Sequence, residues 1–415
     1  MKPFSYCWFT ILFMLFSLHC NGEGKRMLLT SDIDLRGKVM KFPENTTLVG
    51  SGGKIKNGTV IGNHTKIEWS KAVFSNVTVK GTWNVPKIST AMFADLKGVN
   101  ALKNVFALAD AGVRNEILIA KGTYTVKALR AYDKCLEVPS NTSVVINGNI
   151  RILPNNYVGY AILFVKGENI AISGSGTIMG DKFTHTGKDG EWGMGVRFHE
   201  ARDASVRGLT IKDCWGDCIY VGGNSKNILI EKCALDNGRR QGISVTKADG
   251  VTIRQCKITN VSGTAPEYGI DLEPNKGDTV QNVIVENVDI KDCMGGILVF
   301  RMSDTEDATP WAWVERVQIR NCDVSAIQEY PIRLVNCSNV LINGCKLATP
   351  DANPAVHADK VDGISVTNNA ITLKNSVLFR AKNEVRKLAG KKDVSPISIM
   401  QSDEQKVSGN KIIDN

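Results

Sequence analysis

Two acidic residues stand one residue apart in Gly269-Ile270-Asp271-Leu272-Glu273, within a run that alternates apolar and polar. In an extended strand, successive side chains face opposite sides. Ile270 and Leu272 then point inward, and Asp271 and Glu273 point outward together. Their Cα atoms lie about 6.6 to 6.8 Å apart at the usual strand rise. Neighbouring like charges raise the pKa of one carboxyl and leave the other ionised, which suits a general acid working with a general base. Carboxyls about 6.5–9.5 Å apart fit inversion at a glycosidic carbon, and about 5–5.5 Å fits retention, so this spacing leans toward inversion. The competing structural account is a surface acidic pair neutralised by Lys276 or Arg301.

Asp217, in Trp215-Gly216-Asp217-Cys218, is a third carboxyl at a strand entrance. It is either a catalytic partner or a turn residue capping backbone amides. Arg239 and Arg240 precede Gln241 and share a rim with Glu267. Arg240, Gln241 and Glu267 are candidates for holding a substrate, since a guanidinium grips a uronate or sulfate bidentately. An ion pair from these arginines to Glu267 is the alternative. His199, Tyr220 and Arg301 flank the acids. His199 has the chemistry to protonate a leaving group, although a lone strand histidine also serves structure. Trp192, Trp311 and Trp313 offer flat faces that suit stacking on sugar rings, or that pack down the segments carrying them.

What positions these residues is a repeat. Aligned on the first aliphatic residue of each run, the series reads 196, 219, 243, 270, 297, 332 and 356, in steps of 23, 24, 27, 27, 35 and 24 residues. A second series of Ile-x-x-Cys-x-Leu type lies between these runs, as in 230–235, 253–258, 319–324 and 342–347. Each period holds about three short β-rich runs separated by Asn, Asp and Gly turns. The expectation is an all-β fold, a single-stranded right-handed parallel β-helix with three short strands per coil. Stacking places Arg197, Tyr220, Ser244, Asp271, Leu298, Arg333 and His357 in one outward column. A second column holds His199, Gly222, Thr246, Glu273, Phe300, Val335 and Asp359. The two acids are expected in an open trough bounded by Arg197 and His199 at one end and by Phe300 and Arg301 at the other. The stretches 181–194 and 302–314 break the period and mark insertions.

Residues 23–90 are expected to form a β-rich N-terminal cap or first coils, and residues 91–415 the β-helix. Leu96, Val99, Leu102, Phe106 and Ala109 recur at helical spacing and predict a capping helix over roughly 93–111. The basic, less regular tail from Arg380 is expected to close the other end.

This arrangement resembles the pectate-lyase-like β-helix superfamily, and polygalacturonase-type glycoside hydrolases in particular. The resemblance rests on the helix before Gly122-Thr123-Tyr124, on Gly-Ser-Gly-Thr-Ile-Met-Gly at 174–180, and on the repeated coils. It implies a secreted enzyme acting on a polysaccharide. Asp217 and Cys218 match the second acid and the cysteine of the family's Gly-Asp-Asp-Cys element. The family's Asn-Thr-Asp and Gly-His-Gly elements have no counterpart at the expected coils.

The 415 residues, 43% of them hydrophobic, suffice for a large core. The net charge of +9 would tolerate an acidic polysaccharide but equally describes a solvated basic surface. No Arg-rich run suggests nucleic acid. Lys2 and the apolar run at 6–18 predict a signal peptide over 1–22 and export to the periplasm or the outside. Cys20 raises the alternative of a lipid anchor, against which His19 stands where a small residue is required. No later run is long enough to cross a bilayer. Of 11 cysteines, Cys233, Cys256, Cys322 and Cys345 share one place in the repeat, as an inward column of small apolar side chains. Cys214 and Cys218 are close enough in sequence to pair in an oxidising compartment.

Three functions follow as alternatives. The first is an inverting glycoside hydrolase with Asp271 and Glu273 as the acid–base pair, Asp217 assisting, and no cofactor or metal. The second is a polysaccharide lyase or uronate epimerase whose acids hold Ca²⁺. The third is a carbohydrate-binding β-helix without catalysis.

Overall fold

The computed structural model describes residues 19–21, 24–96, 98–99, 101–301, 313–350, 353–389 and 395–414. The expected leader falls almost wholly outside the described residues, as does Trp311. The chain forms two compact units, the first up to Ala120 and the second from Lys121.

In the first unit, strands pair in parallel at steps of 21 and 19 residues, Arg26 beside Thr47 and Thr47 beside Lys66. Ile55 likewise lies beside Phe74. The described stretch 24–90 is therefore built mainly of parallel coils. Trp83 fills their core, edge-on to Phe42 and Phe74 with centroids 5.7 and 6.2 Å away. The helix expected over 93–111 is much shorter. A 3-10 turn spans Thr90–Met92 and one α-helix spans Ala101–Phe106. Leu102, Val105 and Phe106 are buried, whereas Val99 is exposed.

The second unit is a parallel β-helix. One wall is a sheet of 11 strands running from Thr123–Val126 to Lys411–Asp414. A second wall stacks Ile219–Gly222, Ile243–Val245, Tyr268–Leu272 and Gly295–Phe300 in parallel. A third stacks Ser225–Glu231, Ala248–Arg254, Thr279–Glu286 and Trp313–Arg320. Longer strands such as Trp192–Arg207 and Ile332–Asn343 run through the corner and serve both walls. Asparagine suits such corners because it tolerates left-handed backbone. Asn237 (φ 58°) and Asn260 (φ 59°) turn the chain. Their side chains donate to Asp213 and Asp236 of the preceding coil, each at 2.7 Å.

The side-chain columns run as the spacing predicts. Val196, Ile219, Ile243, Ile270, Ile297, Ile332 and Val356 are all fully buried. Each such side chain contributes about 1.5–3 kcal/mol relative to an exposed one. The 35-residue step leaves the register intact, with Ile297 beside Ile332.

Cys233, Cys256, Cys322 and Cys345 are buried free thiols. Each donates to a carbonyl two residues back, as Cys233 does to Glu231 at 3.4 Å. Cys214 and Cys218 are also free and buried, so the pairing considered for them is not formed. The tail from Arg380 is more regular than expected. It belongs to a helix, Ser376–Leu388, whose N-cap Asn375 accepts from Leu378 at 3.0 Å, and to a further coil.

If these thiols are packing groups, the nine buried cysteines between Cys135 and Cys345 will not react with an aromatic disulfide reagent in a folded chain carrying Cys7→Ser and Cys20→Ser. All nine will react in denaturant. Fast reaction of any of them under native conditions contradicts this packing.

Candidate active site

Asp271 lies on the middle strand, Tyr268–Leu272, with Ser244 beside it on one side and Leu298 on the other. Arg197 and Tyr220 continue the column in one direction, and Arg333 and His357 in the other. The expected column is thus present residue for residue. The open trough is not. Asp271 and Ser244 are each 1% exposed, Leu298 is 4% exposed, and Asp217 is fully buried. The solvent face of the site consists of Arg240, Glu191 and Glu273, with side chains 16%, 30% and 28% exposed.

Arg240 closes the site because it is the cation among four carboxylates. Its guanidinium lies 3.5 Å from Glu191, 3.6 Å from Asp217 and 3.7 Å from Glu273. Burial opposes its charge, but Asp217, Asp271, Glu191 and Glu273 outweigh burial and hold it protonated more firmly than a free arginine. Asp217 is pushed up to about 6, mainly by burial, with Arg240 and the Ser244 hydroxyl opposing. Asp271 rises well above the usual carboxylate range. Burial is the largest cause and the adjacent Glu273 charge the next, with Arg240 opposing both. The surface-pair account of the two acids is therefore corrected. Asp271 is not on the surface, and it sits in a charged cluster whose described cation is Arg240.

Gln241 fixes the orientation of Asp271. Its Oε1 accepts from the Tyr268 backbone N–H at 2.7 Å, which leaves Nε2 to donate to Asp271 Oδ2 at 2.8 Å. Asp271 Oδ1 has no hydrogen-bond partner. Oδ1 is therefore the oxygen available to carry the proton that burial favours. Gln241 is fully buried, so its contact is with the acid and it presents no surface to a ligand.

The other candidates are dispersed. Tyr220 shares a hydrogen bond with Thr246 at 2.7 Å, and the Arg197 guanidinium lies 5.4 Å from its ring centre. His199 packs 5.9 Å from Phe164, and its ring is harder to protonate than usual because of burial and then Arg197. Arg301 lies over Trp313 at 5.5 Å. Glu267 accepts from the Gly263 backbone N–H, and so ties its own loop. The Arg239–Glu267 ion pair is replaced by a stack in which Arg239 lies 3.7 Å from the Trp215 ring and donates to Gly190 O at 2.9 Å. His185 stacks on Trp215 at 3.9 Å and meets Asp181 at 2.9 Å.

Glu191 was missed by sequence reasoning. It stands beside Trp192 in an insertion read only for its aromatic ring. Among the described residues, no three His, Cys, Asp or Glu side chains converge as a metal site.

Known proteins agree with this architecture. The family model described as a right-handed β-helix region matches residues 140–307. Two Bacillus subtilis (strain 168) proteins are similar in sequence. The SPbeta prophage-derived uncharacterized protein YorA is 25% identical over 227 residues, 46% of this chain and 37% of its own. The uncharacterized protein YclG is 32% identical over 182 residues, 37% of this chain and 31% of its own. The match therefore spans about a third of the length of these curated relatives. Among solved structures, the A-module of the mannuronan C-5 epimerase AlgE6 from Azotobacter vinelandii superposes with a TM-score of 0.53 at 12% identity. It covers 77% of this chain and 96% of the module. The fold is a right-handed parallel β-helix.

The cluster makes stability depend on pH. Asp217 keeps its proton to higher pH when folded than when unfolded. Its contribution is full below the unfolded value of 3.8 and is lost as pH rises through about 6. That rise is worth about 3 kcal/mol, and the raised Asp271 acts with the same sign. Denaturant midpoints are expected to fall between pH 4 and 7 in the parent and to flatten in Asp217→Asn. An unchanged slope in that variant would show that Asp217 is not buried as described.

Proposed function

We propose that the chain is an enzyme that cleaves a polysaccharide, acting as an inverting glycoside hydrolase. The observation that carries this reading is the buried Asp271 carboxyl, fixed by Gln241 beside a cluster of other acids, surroundings that favour its protonated form. Asp271 Oδ1 donates its proton to the glycosidic oxygen as the bond from that oxygen to the anomeric carbon breaks. Glu273 takes a proton from the water that attacks the opposite face of the same carbon. Asp217, raised to about 6, assists.

Arg240 governs access. A substrate reaches Asp271 only by drawing Arg240 away from its carboxylates, and an acidic sugar group offers the guanidinium a replacement partner. The AlgE6 module, which shares the fold, is by its name an epimerase of mannuronan. Export, read from the apolar run at 6–18, belongs to the same proposal.

The second reading is a lyase or epimerase acting on an acidic polysaccharide. Tyr220 favours it, as a phenol in the Asp271 column with the Arg197 guanidinium 5.4 Å from its ring centre and its hydroxyl on Thr246, the kind of group that can remove the proton next to a uronate carboxylate. Acids holding Ca²⁺ would belong to this reading.

Incubation with an array of polysaccharides separates these readings. Hydrolysis yields new reducing ends without ultraviolet-absorbing unsaturated uronates, whereas such uronates would move the assignment to a lyase. Asp271→Asn and Glu273→Gln are each expected to lower turnover by about 10²–10⁴-fold. If both variants keep full turnover, the acid–base assignment is wrong.

A further inference from the structure

Tyr132 and Trp192 form an exposed aromatic pair outside the acid cluster. Both rings reach solvent, at 53% and 40% exposure, with centroids 6.1 Å apart and planes tilted by 40°. Three features build the pair. Asp133 lies beside Tyr160, and Gly159 beside Trp192. Tyr132, Gly159 and Trp192 therefore occupy one register on three successive coils, with the glycine in the middle. A Cβ on Gly159 would fall 2.8 Å from Trp192 Cβ and 3.1 Å from Tyr132 Cδ1, so the two rings lean together over a position that holds no side chain. Tyr132 also has a left-handed backbone, φ 58°, and donates its N–H to Gly159 O at 2.7 Å. An aromatic residue seldom adopts that conformation, and such outliers persist where the surroundings hold them. Leu129, 59% exposed, adds a further apolar side chain on the neighbouring turn.

Burial of these rings against each other does not account for their exposure. Large amphipathic rings held rigidly at a surface are suited to binding a ligand that has an apolar face and polar edges. The C–H face of a pyranose has that character. Trp192 directly follows Glu191, which meets Arg240. A chain leaving the acid cluster toward the N-terminal coils would pass over Trp192 and then Tyr132.

We infer that Tyr132 and Trp192 form a sugar-binding platform, a subsite for pyranose units lying on the N-terminal side of the acid cluster. This rests on the polysaccharide reading above but not on hydrolysis, because a platform binds whether or not the acids cleave. Gly159 is the positioning residue. Any side chain there would wedge the rings apart.

Affinity electrophoresis tests the platform separately from catalysis. The parent for this test carries Asp271→Asn, so that cleavage does not destroy the ligand. Gels contain polygalacturonate, polymannuronate or a neutral β-glucan. In a gel that retards the parent, Trp192→Ala, Tyr132→Ala and Gly159→Val are expected to weaken binding by about tenfold or more. Trp192→Phe is expected to restore most of it, and thermal melts identify variants that fail to fold. Equal retardation of the folded alanine variants and the parent overturns the platform, as does a parent retarded by none of the three. Absence of new reducing or unsaturated ends from the unmutated chain, with retardation still lost in the alanine variants, overturns the enzymatic reading and leaves the platform standing.

Discussion

Hydrogen bonds between successive coils fix the register of every strand in the second unit, and the rest of the molecule follows from that constraint. A parallel ladder places like positions of each coil side by side. Ile243, Ile270 and Ile297 stack inward because Ser244, Asp271 and Leu298 stack outward. A slip of one residue would exchange the two sets. Residues far apart in the sequence, such as Asp217 and Glu273, therefore meet at Arg240 without any fold-specific loop being needed to join them.

Electrostatics then decides what the meeting produces. Four carboxylates around one guanidinium cannot all stay ionised once water is removed, because burial penalises each charge and their mutual repulsion adds to the penalty. The lowest-cost arrangement leaves a proton on a buried group that also has a second carboxylate two residues away. Asp271 is that group, and Gln241 determines which of its oxygens remains unengaged. The same burial lifts Asp217 to about 6, above a surface carboxylate's value.

The columns were legible in the sequence because a solenoid repeats its pattern with each coil. Steps of 23 to 27 residues between aliphatic runs were enough to place Arg197, Tyr220, Ser244 and Asp271 in order. The reach of side chains was not legible. Strand alternation says that Asp271 faces outward but not that Arg240, a long flexible side chain from the preceding coil, folds over it. The predicted 93–111 helix failed for a related reason. Its apolar spacing was helical, but the segment holds Gly98 and follows a 3-10 turn, and among its described residues only Ala101–Phe106 form an α-helix. The helix Ser376–Leu388 was overlooked because its exposed face carries Val377, Val385 and Leu388 among basic residues, which blurs the amphipathic pattern.

Construction from stacked coils also makes the molecule a ruler with a fixed graduation. Neighbouring strands sit about 4.8 Å apart, so separations along the axis come in whole multiples of that interval. Insertion or loss of one complete coil between Trp192 and Asp271 would move them apart or together by a single increment while leaving each local arrangement untouched. In such a protein, the length of ligand spanned between two stations can change by counting, without redesign of either station.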